Sequence, residues 1–199
     1  MDYDVIVVGA GNAAFSAALS AKENGAKRVL VLEKAPREKR GGNTHFSGAV
    51  MRFSYDDVSQ LDRFVPNAEK DYPGFHNGVQ PYPVEVFRED LMRVTQGRSD
   101  PELASILIEN SYDTMCWLQD KGKHHYELAV SVMGVRVGNE FKWPRGAMIR
   151  NVHEGVGLSK TWFETAEKAG IEIRYETGMQ RLTQAESGRV TGVVARGPD

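Results

Sequence analysis

One cysteine in 199 residues, Cys116, excludes an internal disulfide framework and any cysteine-rich metal site. Long hydrophobic runs are missing too: no apolar stretch approaches the length a bilayer-spanning helix needs. Neither sign of charge is in excess. The 25 basic and 27 acidic side chains leave a net charge of -2, which removes the usual footprint of a nucleic-acid or anionic-membrane binder. Internal repeats and low-complexity tracts are absent. The first apolar strand begins at Asp4, so the sequence leaves no room for a signal peptide before the fold starts. These features predict a cytoplasmic protein with no transmembrane segment and no nucleic-acid partner. Hydrophobic residues at 41% and charged residues at 26% are the balance of an ordinary globular chain.

The opening segment carries the most chemistry. Val5-Ile6-Val7-Val8 is a β-branched run suited to a buried parallel strand. Gly9 permits a tight turn out of it. Gly11 lets a pyrophosphate approach the backbone, and Ala14 allows close packing of helix on strand. Asn12 and Ala13 open the helix whose free N–H groups would face the phosphates. A second run, Val29-Leu30-Val31-Leu32, ends in Glu33, about twenty residues beyond Gly11. A carboxylate there accepts hydrogen bonds from ribose hydroxyls and repels a 2′-phosphate. Strand, glycine turn, helix and second strand with a terminal acid form the context that a dinucleotide site requires.

Further along, Lys34 to Gly48 reads as a polar, glycine-rich loop and 55–83 as irregular. A helix is predicted over Pro83 to Thr95. Another, capped by Asp100 with Pro101 in its first turn, is predicted to run to Gly122 with Leu103, Ile106, Leu107, Met115 and Leu118 on one buried face. Val130, Val132, Val135 and Val137 alternate around Gly134 as a short hairpin would. Gly155-Val156-Gly157 precedes a helix over Leu158 to Lys168, and Ile171 to Tyr175 is a third strand. Met179 to Gln184 and Arg189 to Arg196 make a hairpin around Glu186-Ser187-Gly188. That terminal hairpin strand would need a further partner, which predicts a chain cut short of a longer protein. The fold class is α/β: a Rossmann-like parallel sheet with a β-hairpin or meander, incomplete at its C-terminus.

In this order the motifs resemble the N-terminal part of flavoproteins of the fumarate reductase and succinate dehydrogenase type. The resemblance is carried by Gly9, Gly11, Ala14 and Glu33, by Gly41-Gly42-Asn43-Thr44, by Gly155-Val156-Gly157-Leu158, and by Gly188-Arg189-Val190-Thr191-Gly192-Val193. The start Met1 to Val5 and the stretch Lys34 to Glu38 look most like the tricarballylate dehydrogenase branch. The resemblance implies FAD rather than a nicotinamide cofactor. It implies that residues 1–199 are the N-terminal portion of an FAD-binding domain, with the capping domain, the C-terminal FAD segment and the catalytic residues elsewhere. The cofactor would be held by Gly9, Gly11, Asn12, Ala13, Ala14, Glu33, Lys34, Gly41, Gly42, Asn43 and Thr44, with Ser47 and Gly48 near the flavin ring and the backbone of Met179 at the adenine. The implied reaction moves a hydride between flavin and a di- or tricarboxylic acid, with an electron-transfer partner possible. Ketosteroid dehydrogenation, amino-acid oxidation and a non-catalytic nucleotide-binding module are the alternatives.

His45 has two readings: a covalent link to the flavin, as a histidine of this region makes in the membrane-complex relatives, or a hydrogen bond at the flavin edge. The adjacent pair His124-His125 reads as a solvated helix end, Cys116 as a small buried hydrophobe, and Trp117 and Trp162 as core. His76 and His153 lack an acidic or cysteine partner at ligand spacing; Arg145 and Arg150 have two readings, a planar fork for carboxylates or, more commonly, a surface group.

Overall fold

A computed structural model describes residues 2–138 and 140–198. In chain order the elements are β1 (Val5–Val8), α1 (Asn12–Glu23), β2 (Val29–Leu32), α2 (Gly42–Phe46), β3 (Val50–Met51), α3 (Ala68–Asp71), α4 (Phe75–Gly78), α5 (Val84–Val94), α6 (Pro101–Glu109) and α7 (Ser111–Asp120). They continue with β4 (Tyr126–Leu128), α8 (Val130–Met133), β5 (Val135–Val137), β6 (Glu140–Lys142), β7 (Ile149–Asn151), α9 (Glu154–Lys168), β8 (Glu172–Arg174), β9 (Gly178–Gln184) and β10 (Val190–Arg196). The chain divides into two compact units. One joins 1–47 to 153–199; the other is the continuous stretch 48–152.

The first unit is built on a parallel sheet in the order β1-β2-β8. Its middle strand is buried at every position, as a run of branched aliphatics between two partners should be. β1 differs from its expectation: it lies at the sheet edge, half-buried, with Val8 48% exposed. α1 and α9 cover one face of this sheet's framework through Phe15, Ala18 and Leu19 on one helix and Leu158, Trp162, Phe163 and Ala166 on the other. Large side chains buried this way contribute about 1.5–3 kcal/mol each. α9 begins at Glu154 rather than at Leu158. Gly155 explains the extra turn: a Cβ there would lie 2.2 Å from the Thr44 carbonyl oxygen and 2.6 Å from that of Ser47. Its N–H donates to Ser47 O at 2.9 Å, so α9 grows directly from the end of α2. The predicted hairpin is present as the antiparallel pair β9-β10.

The loop predicted over Lys34 to Gly48 holds a 3-10 turn at Arg37–Lys39 and the short helix α2. The bends come from Pro36 and from Gly41, which sits in the left-handed region at φ 102°.

In the second unit, β3-β7-β4 form an antiparallel sheet. The region 55–83, expected to be irregular, contains a 3-10 helix at Val58–Arg63 with an Asp57/Gln60 capping box, then α3 and α4. The helix expected from Asp100 to Gly122 is two helices broken at Asn110. Asp100 Oδ1 caps the first by accepting Leu103 N–H at 3.0 Å. At its end the Asn110 side-chain amide donates to Ile106 O at 2.8 Å, competing with the backbone ladder. The break changes which face is buried. Ala104 and Ile108 point inward, while Leu103, Ile106 and Leu107 stay exposed. Met115 and Leu118 are buried as expected.

The hairpin expected around Gly134 is also displaced. Residues 130–133 form α8, and Val135–Val137 pairs with Glu140–Lys142 instead. Among the described residues, no helix is long and apolar enough to cross a membrane.

Candidate functional site

The carboxyl end of the parallel sheet opens into a cleft of about 760 Å³ within the first unit. That is the size class of small-molecule and cofactor sites, at the strand ends where such sheets bind ligands. Its walls bring together Gly9, Gly11, Asn12, Ala13, Ala14, Glu33, Lys34, Gly41, Gly42, Asn43, Thr44 and Met179. Val8, Ala10, Leu32, Thr177 and Gly178 complete the lining and were not singled out from sequence. Ser47 and Gly48 are not among the lining residues. Ser47 ends α2, where its hydroxyl donates to Thr44 O at 2.8 Å, and both residues are exposed.

Local chemistry accounts for the cleft's polar lining. α1 follows the N-cap Gly11, which supplies no side-chain cap, so the helix presents first-turn N–H groups to the cleft. One of these, Asn12 N–H, donates to Thr44 Oγ1 at 3.0 Å. The Thr44 hydroxyl thereby does for α1 what an N-cap side chain would do, from a separate segment. Gly11 keeps this approach uncrowded: an added Cβ would stand 3.2 Å from the same oxygen, closer than an ordinary contact.

Glu33 is buried, and its two carboxylate oxygens accept different backbone donors. Oε2 takes Ala10 N–H at 3.1 Å and Oε1 takes Ala35 N–H at 2.8 Å. Each oxygen retains a lone pair for a hydroxyl. The acid therefore ties the glycine turn to the end of β2 as well as facing the cleft.

The Asn12 side chain is engaged by α9. Its Oδ1 accepts the indole N–H of Trp162 at 2.7 Å. Trp162 is 1% exposed and stacks on Phe15 at 6.1 Å, so the expectation of a core tryptophan holds, with a polar function added. Arg40, just before the Gly41 turn, lies 4.0 Å over the Phe163 ring and donates to Tyr175 Oη at 2.8 Å. His45 is half-buried and packs edge-on against Phe46 at 5.1 Å.

Several expectations outside the cleft are corrected. His124 is not at a solvated helix end but fully buried, with Asn151 Nδ2 3.0 Å from its Nδ1. Burial, helped by the neighbouring His125, pushes its pKa down to about 4. Cys116 is only half-buried, its thiol pushed up chiefly by desolvation. Trp117 is likewise half-buried rather than core. His76 has acidic partners that sequence spacing did not show: Asp62 Oδ1 is 2.8 Å from Nε2, and Glu69 Oε2 is 3.4 Å from Nδ1. Among the described residues no cluster of His, Cys, Asp and Glu could hold a metal ion. Arg150 is more enclosed than a surface group, with Nε 2.7 Å from Glu127 Oε1; Arg145 is half-exposed, 3.9 Å from Glu89.

Comparison with known proteins agrees with this geometry. The fumarate reductase (cytochrome) of Shewanella frigidimarina is 29% identical over 194 residues, covering 98% of this chain and 30% of that protein. The urocanate reductase of Eggerthella lenta is 30% identical over 195 residues, covering 98% of the chain and 28% of its own length. Among solved structures, the open conformation of a flavocytochrome c3 fumarate reductase superposes with a TM-score of 0.71 at 28% identity, covering 98% of this chain and 30% of that one. The chain thus spans about 30% of the length of the relatives it matches.

The FAD binding domain model matches residues 4–199. The cleft suits that cofactor, since helix N–H donors and a buried carboxylate acceptor both line it. By this match the chain belongs to the FAD binding domain family, whose cofactor is FAD, and it is fumarate reductase-like among flavoproteins.

Proposed function

We propose that this chain is the FAD-holding portion of a flavin oxidoreductase acting on the CH–CH bond of a di- or tricarboxylic acid, with tricarballylate as the finer assignment. The observation that carries the reading is the convergence of Gly9–Ala14, Glu33, Gly41–Thr44 and Met179 on one cleft. The relatives named as fumarate and urocanate reductases support the reaction class. The start Met1 to Val5 and the stretch Lys34 to Glu38 support the tricarballylate branch.

In this reading the α1 N-terminus and the Gly41-Gly42 turn hold the pyrophosphate. Glu33 holds the adenosine ribose. Lys34 and Asn43 are exposed at the cleft and offer polar contacts at its rim. The backbone at Met179 meets the adenine, and Ser47 and Gly48 lie toward the flavin. When bound, FAD supplies the hydride donor or acceptor, and the protein contributes orientation and electrostatics. Substrate positioning and proton transfer belong to residues other than these, and a separate electron carrier completes the cycle.

The test is the visible absorption of the purified full-length protein, followed by dye-coupled assays; in this reading residues 1–199 alone do not turn over. Flavin bands, acid-released into the supernatant, with reduction of fumarate or oxidation of succinate or tricarballylate, are expected. A colourless protein that takes up no added FAD would overturn the reading. Flavin retained in the acid pellet would move His45 from the hydrogen-bonding reading to the covalent one. Turnover of a 3-ketosteroid but of no carboxylate would replace the substrate class.

A further inference from the structure

One face of α9 touches both halves of the cleft. Gly155 abuts the end of α2 through its N–H to Ser47 O. One turn on, Ser159 is buried against Gly41, where an added Cβ would come within 2.4 Å of its Oγ. The next position on that face is Trp162, whose indole N–H reaches Asn12 Oδ1 at the first residue of α1. These positions follow the helical repeat, so a single rigid rod carries all three contacts. The two cleft segments touch each other through the Asn12–Thr44 bond.

We infer that Trp162 is a positioning residue for the cofactor's pyrophosphate: its indole N–H fixes Asn12, and with it the first-turn N–H groups of α1, at the spacing from Gly41–Thr44 that a pyrophosphate requires. The inference rests on the reading of this cleft as the FAD site.

Two further observations separate this role from plain core packing. The ring already has its packing partner in Phe15, stacked at an interplanar angle of 17°. The N–H is therefore an additional, directional contact, spent on a residue of the cleft wall. Asn12 in turn uses its side chain for Trp162 and its backbone N–H for Thr44, so a shift of the indole moves the donor that Thr44 receives.

Trp162→Phe tests this by keeping an aromatic ring against Phe15 while removing the donor. ADP and adenosine are titrated calorimetrically into the protein and its variant, because only ADP carries the pyrophosphate. The expected result is an ADP affinity about fivefold weaker, the factor that loss of one hydrogen bond carries, with adenosine affinity unchanged. Equal weakening of both ligands, or of neither, would overturn the inference and leave Trp162 as core alone.

If Trp162→Phe does not fold, Asn12→Ser decides instead. A serine is too short to reach the indole and should give the same ADP-selective loss; unchanged or unselective binding overturns the inference. A wild-type protein that binds no ADP removes the cofactor reading and this inference together. A wild type that binds ADP as its variants do removes only the inference.

Discussion

Ala10 and Glu33 are joined by a buried hydrogen bond of 3.1 Å, the Ala10 N–H donating to Oε2, while Oε1 of the same carboxylate takes Ala35 N–H at 2.8 Å. One side chain thereby pins the glycine turn after β1 to the bend after β2. Glu33→Gln would keep one acceptor and turn an N–H₂ group toward a backbone donor. The expected cost is about 1–3 kcal/mol of stability, with FAD affinity lowered in parallel. Urea denaturation with and without ADP measures both; a variant as stable as the wild type would show that the lost backbone bond contributes nothing to stability.

Gly41 combines a left-handed backbone with a neighbour too close for any side chain. Its φ is 102°, and the Ser159 hydroxyl occupies the place of a Cβ. Gly41→Ala is expected to destabilise the protein by about 1–3 kcal/mol through strain and overpacking. Combining it with Ser159→Gly should recover the part due to overpacking and leave the part due to φ. Thermal melts of the single and double variants separate the two.

His124 gives the stability a pH dependence. Its folded pKa, about 4, lies below the ordinary value of 6.5, so the unfolded chain takes up a proton in that window and the folded protein does not. Stability is therefore greatest above about pH 6.5 and falls as pH drops toward 4, by about 3 kcal/mol in all. His124→Gln should flatten the slope between pH 6.5 and 4.5. Below that, carboxylates held down by hydrogen bonds, such as Glu69 by the His76 and Gly74 amides, continue the loss. Urea midpoints across pH 4 to 7 are the measurement.

Asp100 offers a stability test in the second unit. Its carboxylate caps α6, and Asp100→Ala is expected to cost about 1 kcal/mol of stability. Thermal melts of the variant and the wild type measure it.

The legible parts of the site were those where a residue type answers a local need. A strand end, a turn without Cβ and an acid at the next strand end can each be read from near neighbours, so Gly9, Gly11 and Glu33 are legible, whereas the part of Gly41-Gly42 enters through the resemblance. Met179 was reachable only through the resemblance, because its cleft position depends on β9 starting at Gly178. The Trp162–Asn12 bond joins residues 150 positions apart and leaves no local trace.

α6 shows another limit. Leu103, Ile106 and Leu107 satisfy the helical period as well as Ala104 and Ile108 do, and the break at Asn110 decides between them. The polar pair His124-His125 reads as solvent-facing, whereas the 3.0 Å contact to Asn151, 27 residues along the chain, engages Nδ1 of His124 in the interior.

The sheet order β1-β2-β8 bears on how the molecule is made. β2 meets β1 soon after both leave the ribosome, but its other partner lies beyond the whole of 48–152, and Tyr3 finds Glu172 across a sequence separation of 169 residues. Such a closure is slow relative to local pairing. The continuous second unit can therefore condense while β2 still exposes one edge. During synthesis, a strand of four consecutive branched aliphatics waits unpaired on one side until α9 and β8 emerge. Chaperone demand for this protein should accordingly be set by the time needed to translate the second unit.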